Sequence, residues 1–334
     1  NDHNALFYNP AGLKRLKKGE MNFFLKAAAD PDIKDLLDDI EKAGDSASES
    51  QAYLDLINSK RDKHFALRAP SLGFIWARPD WAVAFIPADV SADISFQSGG
   101  PPLVDVRAYV DTTLAYGMAW DITKTSGHLS VGTTAKLINR AFVDKSLSSA
   151  DLVVDDDILG KDDAKEGLTL DFDVGFLWSW DRPTSGFWKY FEPTAGLVVR
   201  NVLDYGYLTN LELVADGDFG DPEDLQRRID IGGAVKLPDW SIWKTTLTAE
   251  VKDILHDNWT FKKGYHIGAE FLWEMNSWWS GGWRVGLNQG HFTAGFTGQL
   301  WAFKMDLATY TNEIGTRSHS NESRLYMLTA SMDF

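Results

Sequence analysis

The chain has 334 residues, a formal net charge of −15 and no cysteine. The lack of cysteine excludes disulfides, thiolate metal sites and a cysteine nucleophile, and the acidic balance argues against nucleic acid as a partner, because phosphate binding needs clustered Lys and Arg. Aromatic residues are abundant, with 14 Trp, 19 Phe and 10 Tyr, and rings that carry one polar atom favour the boundary between membrane and water.

The chain begins at Asn1 without Met and without an apolar leader, so we expect a mature chain from which a signal peptide has been removed. Its first motif is Asn9-Pro10-Ala11-Gly12. The residue before a proline prefers an extended or turning backbone, and Ala-Gly lets the backbone pass close to a neighbour. The motif therefore fits a segment that threads past a wall of strands, and it fits an ordinary turn into the first strand equally well.

The connection 29–65 predicts two short amphipathic helices. Residues 32–40 and 52–57 place apolar side chains at helical intervals, and the small polar stretch 44–50 separates them. We expect an external loop that caps the mouth of a barrel or holds a partner, or a folded cap that binds no ligand.

Period-two alternation dominates the rest of the chain. From Leu168 to Trp180 the even positions are all apolar, whereas the odd positions are mostly polar or small. Such a strand has one face suited to lipid and one suited to water. Counting these runs gives about 14 strands, an even number as in outer-membrane barrels. The predicted spans are 20–28, 66–77, 81–96, 104–121, 127–143, 168–181, 192–203, 227–237, 242–254, 265–275, 282–289, 291–300, 303–312 and 323–334.

The connections between these strands alternate between long polar ones and short turns. An up-and-down barrel places alternate connections on opposite sides, with the long loops outside and the short turns in the periplasm. We therefore predict an all-β, transmembrane, antiparallel up-and-down barrel: residues 1–19 form a plug segment, 20–334 form the barrel, and 29–65 form the helical external loop. A soluble β-sandwich is the alternative, but its strands are usually shorter than several seen here.

Pro87 interrupts the predicted strand 81–96. Proline cannot donate to the strand ladder, so a bulge, a kink or a gap is expected there, with Ile86 and Ala88 beside it. The alternative is that this run forms two short strands.

Charged residues of both signs fall on the polar faces of the predicted strands. Buried charges need partners, so opposed signs across a lumen fit a hydrogen-bonded, partly plugged interior, and an open aqueous pore fits them as well. The lumen candidates are Asp105, Arg107, Asp171, Asp173, Arg228, Glu250 and Glu270.

Signatures of catalysis and of metal binding are absent from the sequence. The seven His residues form no HExxH motif, and no GxSxG occurs. The acidic runs 155–157 and 162–163 lack EF-hand spacing, so a solvated loop is favoured over a Ca²⁺ site. We expect no enzyme activity, no metal site and no cofactor.

The last strand also alternates and stops on an aromatic ring at the chain end: Tyr326, Leu328, Ala330, Met332 and Phe334 share one face. This ending resembles the C-terminal signal of Gram-negative outer-membrane β-barrels, whose final strand closes the barrel. The resemblance implies a location in the bacterial outer membrane.

Residues 4–13, with the sequence NALFYNPAGL, resemble the N-terminal signature of the FadL-like family of outer-membrane long-chain fatty acid transporters. The resemblance implies a 14-stranded barrel, a plug formed by the segment around Asn9-Pro10-Ala11-Gly12, and a kink in the third strand that opens a lateral hole. Pro87, with Ile86 and Ala88, is the candidate for that kink. The chain is shorter than the larger members of the family, so its external loops, and with them ligand capture, are reduced.

These observations predict an outer-membrane barrel that transports or binds hydrophobic molecules or lipids. A plugged structural protein that organises lipid or oligomerises is the first alternative, and a diffusion porin is the second. The expected partners are membrane lipid or another apolar small molecule, the lipids of the outer membrane, and further copies of the chain in a homo-oligomer.

Overall fold

The computed structural model describes residues 2–97, 100–123, 127–154, 163–180, 190–214, 220–256, 259–313 and 322–334. Within these residues 14 antiparallel strands form one closed barrel, in which β1 pairs with β14. The predicted fold class is therefore confirmed. The strands are β1 (Glu20–Ala29), β2 (His64–Arg78), β3 (Trp81–Phe96), β4 (Leu103–Thr123), β5 (His128–Ser148), β6 (Lys165–Ser179), β7 (Glu192–Arg200), β8 (Arg228–Lys236), β9 (Trp243–Val251), β10 (Tyr265–Asn276), β11 (Trp279–Asn288), β12 (His291–Leu300), β13 (Phe303–Glu313) and β14 (Glu322–Asp333).

Alternation along each strand separates an outer from an inner face. In β4 the side chains of Leu114, Tyr116 and Met118 are exposed, whereas Ala115 and Ala119 between and beyond them are buried. The same pattern leaves large apolar side chains exposed around the whole circumference. A soluble monomer rarely exposes such a continuous apolar surface, so the outer face of the barrel is suited to hydrocarbon.

The barrel is taller on one side. Strands β4 and β5 each have 21 residues, whereas β7, β8 and β9 have nine each. About 9–11 tilted residues cross a bilayer, so the short strands have roughly the length of one crossing. Strands β2–β6 run well beyond it, and we call this part the tall wall.

The described part of the chain also contains five helices: α1 (Ala5–Tyr8), α2 (Ile33–Gly44), α3 (Glu49–Ser59), α4 (Asp151–Val154) and α5 (Phe261–Gly264). The helices α2 and α3 occupy the region in which two were predicted. Leu36 and Ile57, both fully buried, pack with Phe65, Phe96 and Val104. These partners belong to the outer face of the tall wall, whereas we expected the helices to cap the mouth or hold a partner.

The N-terminal segment, residues 2–19, lies inside the barrel. It contains α1 and a 3₁₀ helix over Pro10–Arg15. Leu6 and Leu13 are fully buried and pack against Ile75, Ala84 and other small inner-face residues of β2–β4. The segment therefore fills the half of the lumen that the tall wall encloses.

Tryptophans gather at the end of the barrel that carries the short connections. Trp rings prefer the polar boundary of a membrane, so this girdle marks where the barrel would leave the hydrocarbon on the side of both termini. Within the described residues, no helix is both long and apolar enough to cross a membrane. The girdle comprises Trp76, Trp81, Trp120, Trp178, Trp180, Trp240, Trp243, Trp273, Trp278, Trp279 and Trp301.

Candidate functional site

A row of inward-facing glycines seats the N-terminal segment. A Cβ at Gly132 would overlap the backbone of Pro10 and Ala11, and a Cβ at Gly175 would overlap the side chain of Asn9. We call Gly117, Gly132, Gly175 and Gly196, on strands β4–β7, the glycine seat. Because these positions carry no side chain, the segment reaches the wall itself.

The predicted plug motif lies in this seat. The amide nitrogen Nδ2 of Asn9 donates to the carbonyl oxygen of Phe176 over 3.1 Å, and Oδ1 of Asn9 accepts from the backbone N–H of Ala11 over 3.1 Å. Pro10 begins the 3₁₀ helix, where its lack of an N–H costs nothing. Gly12 is needed because a Cβ there would stand 3.1 Å from the Cβ of Ala5.

Arg200, at the end of β7, fastens the upper end of the segment. Its guanidinium donates to the carbonyl oxygens of Phe7 and Tyr8, the last two residues of α1, and its Nε lies 2.7 Å from Oδ2 of Asp230. The orphan carbonyls of the helix end are thereby satisfied. The sequence alone did not single out Arg200, because it ends an otherwise ordinary alternating strand.

Other polar contacts fasten the middle and the lower end of the segment. The hydroxyl of Thr134 donates to the carbonyl of Leu6 over 2.8 Å, and Arg15 donates to the carbonyl of His128 over 3.1 Å. Lys14 forms an ion pair with Asp80 in the short β2–β3 turn. The segment is thus bonded to the wall along its length.

Pro87 lies in a bulge within a continuous β3. Pro87 and Ala88 together oppose the single residue Thr112, because the β3–β4 register shifts between Ile86 and Asp89. The hydroxyl of Thr112 donates to the carbonyl oxygen of Pro87 over 2.9 Å. The strands remain paired on either side, so the proline neither divides β3 into two strands nor leaves its carbonyl without a partner.

The β2–β3 ladder is irregular at the same level. Its register shifts between Leu72 and Phe74, opposite the bulge. A Cβ at Gly73 would stand 2.8 Å from the ring of Phe24 and 3.0 Å from Ile86, so these inner side chains fill the space that glycine leaves. On the short-turn side of Pro87 the lumen wall is therefore apolar and continues into the buried cluster around Leu6. On the other side of Pro87 the inner face carries Ser71, Asp89 and Asp111.

The seven lumen candidates stand on the inner face, in three groups. Asp105 and Arg107 lie in the upper part of the tall wall, where Arg107 pairs with Glu223 at 2.6 Å. Asp171 and Asp173 accept the backbone N–H groups of Leu203 and Asn201 over 3.0 Å each. The third group lies on β8–β10: Arg228 pairs with Asp253 at 3.4 Å and Glu250 pairs with Lys252 at 2.9 Å, both partners just after β9, and Glu270 pairs with Arg284 of β11 at 2.8 Å.

Burial divides these charges into two environments. Lys136 and Asp173, on the segment side, form an ion pair of 2.7 Å with side chains 11% and 2% exposed. Glu270 and Arg284, on the opposite side, are 32% and 46% exposed. One side of the lumen is thus packed, and the other side is open to solvent.

Two cavities lie beside the N-terminal segment. The upper cavity, about 740 Å³, lies towards the long connections and is bordered by Tyr8, Lys252, His266 and Asn288. The lower cavity, about 780 Å³, lies towards the short turns and is bordered by Arg15, His128, Lys236 and Lys244. Glu270 borders both cavities.

Tyr207, in the connection between β7 and β8, packs into the mouth of the tall wall. The ring of Tyr207 fills the place of a side chain at Gly167, and burial raises the pKa of this phenol to about 12. The protonated hydroxyl donates to the carbonyl oxygen of Glu223 over 3.2 Å. The alternation pattern gave no indication of this contact, because it describes strands and not the loops between them.

Among the described residues, no group of three or more His, Asp or Glu side chains is placed to hold a metal ion. Of the acidic runs considered for Ca²⁺, residues 155–157 and 162 lie outside the described part of the chain. Asp163 pairs with Lys145 at 2.6 Å.

No protein-family model matches the chain, and no curated protein matches it. Solved structures with similar architecture include the toluene transporter TodX of Pseudomonas putida (9% identity, 99% of this chain and 92% of that chain, TM-score 0.45) and the toluene transporter TbuX of Ralstonia pickettii (9% identity, 100% and 94%, TM-score 0.48). They also include CdiB from Escherichia coli (11% identity, 96% and 63%, TM-score 0.39).

Proposed function

We propose that the chain is a FadL-like barrel of the bacterial outer membrane that takes up a hydrophobic small molecule or lipid and releases it sideways into the bilayer. The observation that carries this proposal is the apolar part of the lumen wall on the short-turn side of the bulge at Pro87. Ile86 and Phe24 line it from inside, and Phe85 and Leu72 stand 48% and 38% exposed on the outer face. An apolar solute that crosses the wall on this side of Pro87 would stay among apolar side chains.

The bulge is also where the wall would separate at the lowest cost. Pro87 contributes no N–H to either ladder, and register shifts interrupt both the β2–β3 and the β3–β4 pairing at this level. Fewer ladder hydrogen bonds therefore have to break than at a regular position. Opening would expose the apolar cluster around Leu6, so the N-terminal segment has to shift when the solute passes.

The outer surface of the barrel supports the proposed location in the outer membrane. The outer face is apolar around its circumference, the Trp girdle marks one boundary, and the termini share the short-connection end. This is the arrangement of outer-membrane barrels, whose short turns face the periplasm.

A reversible cross-link at the bulge tests the lateral route. The chain has no native cysteine, so the double variant Leu72→Cys/Ala88→Cys, at directly paired positions of β2 and β3, forms the only disulfide. In proteoliposomes, oxidation should abolish uptake of a labelled alkylbenzene or fatty acid, and reduction should restore it.

The matched control is Ala269→Cys/Val285→Cys, a directly paired position of β10 and β11 on the outer face. Uptake should be the same in its oxidised and reduced forms. If the oxidised Leu72–Ala88 cross-link leaves uptake unchanged, the route through this part of the wall is wrong.

A further inference from the structure

We propose that the barrel also conducts water and small ions along a second, polar path. This path runs beside the N-terminal segment along the inner faces of β5–β13 and is narrowed at mid-height by a clasp of Glu270, Arg284 and Asp306. It is separate from the apolar route at Pro87, which lies on the opposite side of the segment.

The path follows from the one-sided seating of the segment. The glycine seat draws the segment against β4–β7. The upper cavity lies away from the seat along β9–β13, and the lower cavity is bordered by residues of β5–β10. Tyr8 borders the upper cavity and Arg15 borders the lower one. The segment therefore forms one wall of the path, and strands β5–β13 form the other.

The two cavities meet at Glu270, which borders both. Glu270 and Arg284 are direct cross-strand partners joined at 2.8 Å, and a second arm of Arg284 reaches Asp306 at 3.3 Å. To reach Asp306 on β13, the side chain of Arg284 passes over β12 next to its direct partner Gly295, which has no side chain to obstruct it. One guanidinium thus joins carboxylates from two strands across the inner face.

The ion pairs of the clasp are exposed to solvent, so they contribute little to stability. Arg284 is 46% and Glu270 is 32% exposed, and ion pairs in contact with water contribute little net stability. Lining charges of both signs replace part of the hydration of an ion that passes between the cavities. The buried pair of Lys136 and Asp173, on the segment side, offers no such access.

Cysteine accessibility in planar bilayers tests the path on a background without native cysteine. Thr246 borders the lower cavity as the direct partner of Glu270, and Thr293 borders the upper cavity. A charged methanethiosulfonate reagent should remove most of the single-channel conductance of Thr246→Cys and of Thr293→Cys. Thr133→Cys is the control, because Thr133 pairs with the exposed Met118 on the outer face, and its conductance should not change.

The clasp itself is tested by selectivity. Arg284→Ser leaves Glu270 and Asp306 without their shared cation, so conductance should rise and the reversal potential should shift towards cation preference. Glu270→Gln/Asp306→Asn should shift it towards anions. Folding of each variant is checked by the heat-dependent shift of its electrophoretic band.

Absence of conductance above the lipid background, in the wild type and in folded Arg284→Ser alike, would overturn the proposal. So would conductance that the reagent leaves unchanged at both cavity positions. Either result is independent of hydrophobic uptake, which the Leu72–Ala88 cross-link measures.

Discussion

Gly132 of β5 and Gly175 of β6 are direct cross-strand partners, and the N-terminal segment occupies the space where their side chains would stand. The backbone of Pro10 lies over Gly132, and the side chain of Asn9 lies over Gly175. The position of the segment therefore depends on two glycines that are far from it in the sequence and that have no side chain to displace it.

Gly132→Ala should displace the N-terminal segment from the glycine seat. The new Cβ overlaps main-chain atoms of Pro10, which cannot swing aside as a flexible side chain can. Loss of the contacts of Leu6 and Leu13 removes about 1.5–3 kcal/mol for each buried leucine. A cysteine at the fully buried Ala11 should become reactive to a polar maleimide in this variant.

Gly298→Ala is the matched control, because a Cβ there meets only the ring of Phe296 at 3.6 Å. The cysteine at position 11 should stay protected in it. Equal protection in both variants would show that the segment does not depend on the glycine seat.

The sequence predicted the strands well because each has one face towards an apolar exterior. The predicted span 81–96 equals β3, and the predicted span 291–300 equals β12. Strand β5 runs on to Ser148, five residues past its predicted end. There the alternation weakens, because the tall wall has left the region in which outer positions must be apolar.

Contacts between distant parts of the chain could not be predicted in the same way. The helical spacing around Leu36 shows that one face of α2 is buried, but it does not show that the outer surface of the tall wall buries it. Likewise Gly132 and Gly175 are recognisable as a pair only once the register of β5 and β6 is known. Motif resemblance located Asn9 and Pro10, whereas nothing local distinguished Arg200 or Arg284.

Lys136→Met should destabilise the barrel strongly, because it leaves the carboxylate of Asp173 buried without its cation. Removing one partner of a buried ion pair costs about 3–5 kcal/mol. Urea unfolding in lipid vesicles, followed by Trp fluorescence, measures the loss in the free energy of unfolding. The double variant Lys136→Met/Asp173→Leu should regain most of it.

The contrasting variant is Lys244→Met, whose partner Glu274 lies 3.0 Å away with both side chains more than half exposed. The free energy of unfolding of this variant should fall by less than about 1 kcal/mol. If the two Lys→Met variants unfold alike, the side of the lumen at Lys136 is not drier than the side at Lys244.

Arg200→Ala should loosen the upper end of the N-terminal segment while the lower end stays seated. The carbonyls of Phe7 and Tyr8 lose their donor, and Asp230 loses its ion pair. Hydrogen bonds to a charged group contribute about 1.5–3 kcal/mol. Hydrogen exchange over residues 5–9 should therefore accelerate.

Arg68→Ala serves as the control for Arg200, because Arg68 donates to the carbonyl of Ala92 and to Asp93. Exchange over residues 5–9 should be unaffected by it. Unchanged exchange in Arg200→Ala would mean that the glycine seat alone holds the segment.

Thr112→Val and Pro87→Ala should change hydrophobic uptake in opposite directions. Thr112→Val removes the hydroxyl that donates to the carbonyl of Pro87. This costs about 1–3 kcal/mol for the unpaired group, so the bulge separates more easily and uptake should be faster. Pro87→Ala supplies the N–H that proline lacks, so the wall pairs more firmly and uptake should be slower.

Initial rates of alkylbenzene or fatty acid entry into proteoliposomes, at equal amounts of folded protein, measure both effects. A general loss of stability would lower the rate of both variants, so opposite signs isolate the bulge. Equal rates in Thr112→Val, Pro87→Ala and the wild type would show that the solute does not leave through this part of the wall.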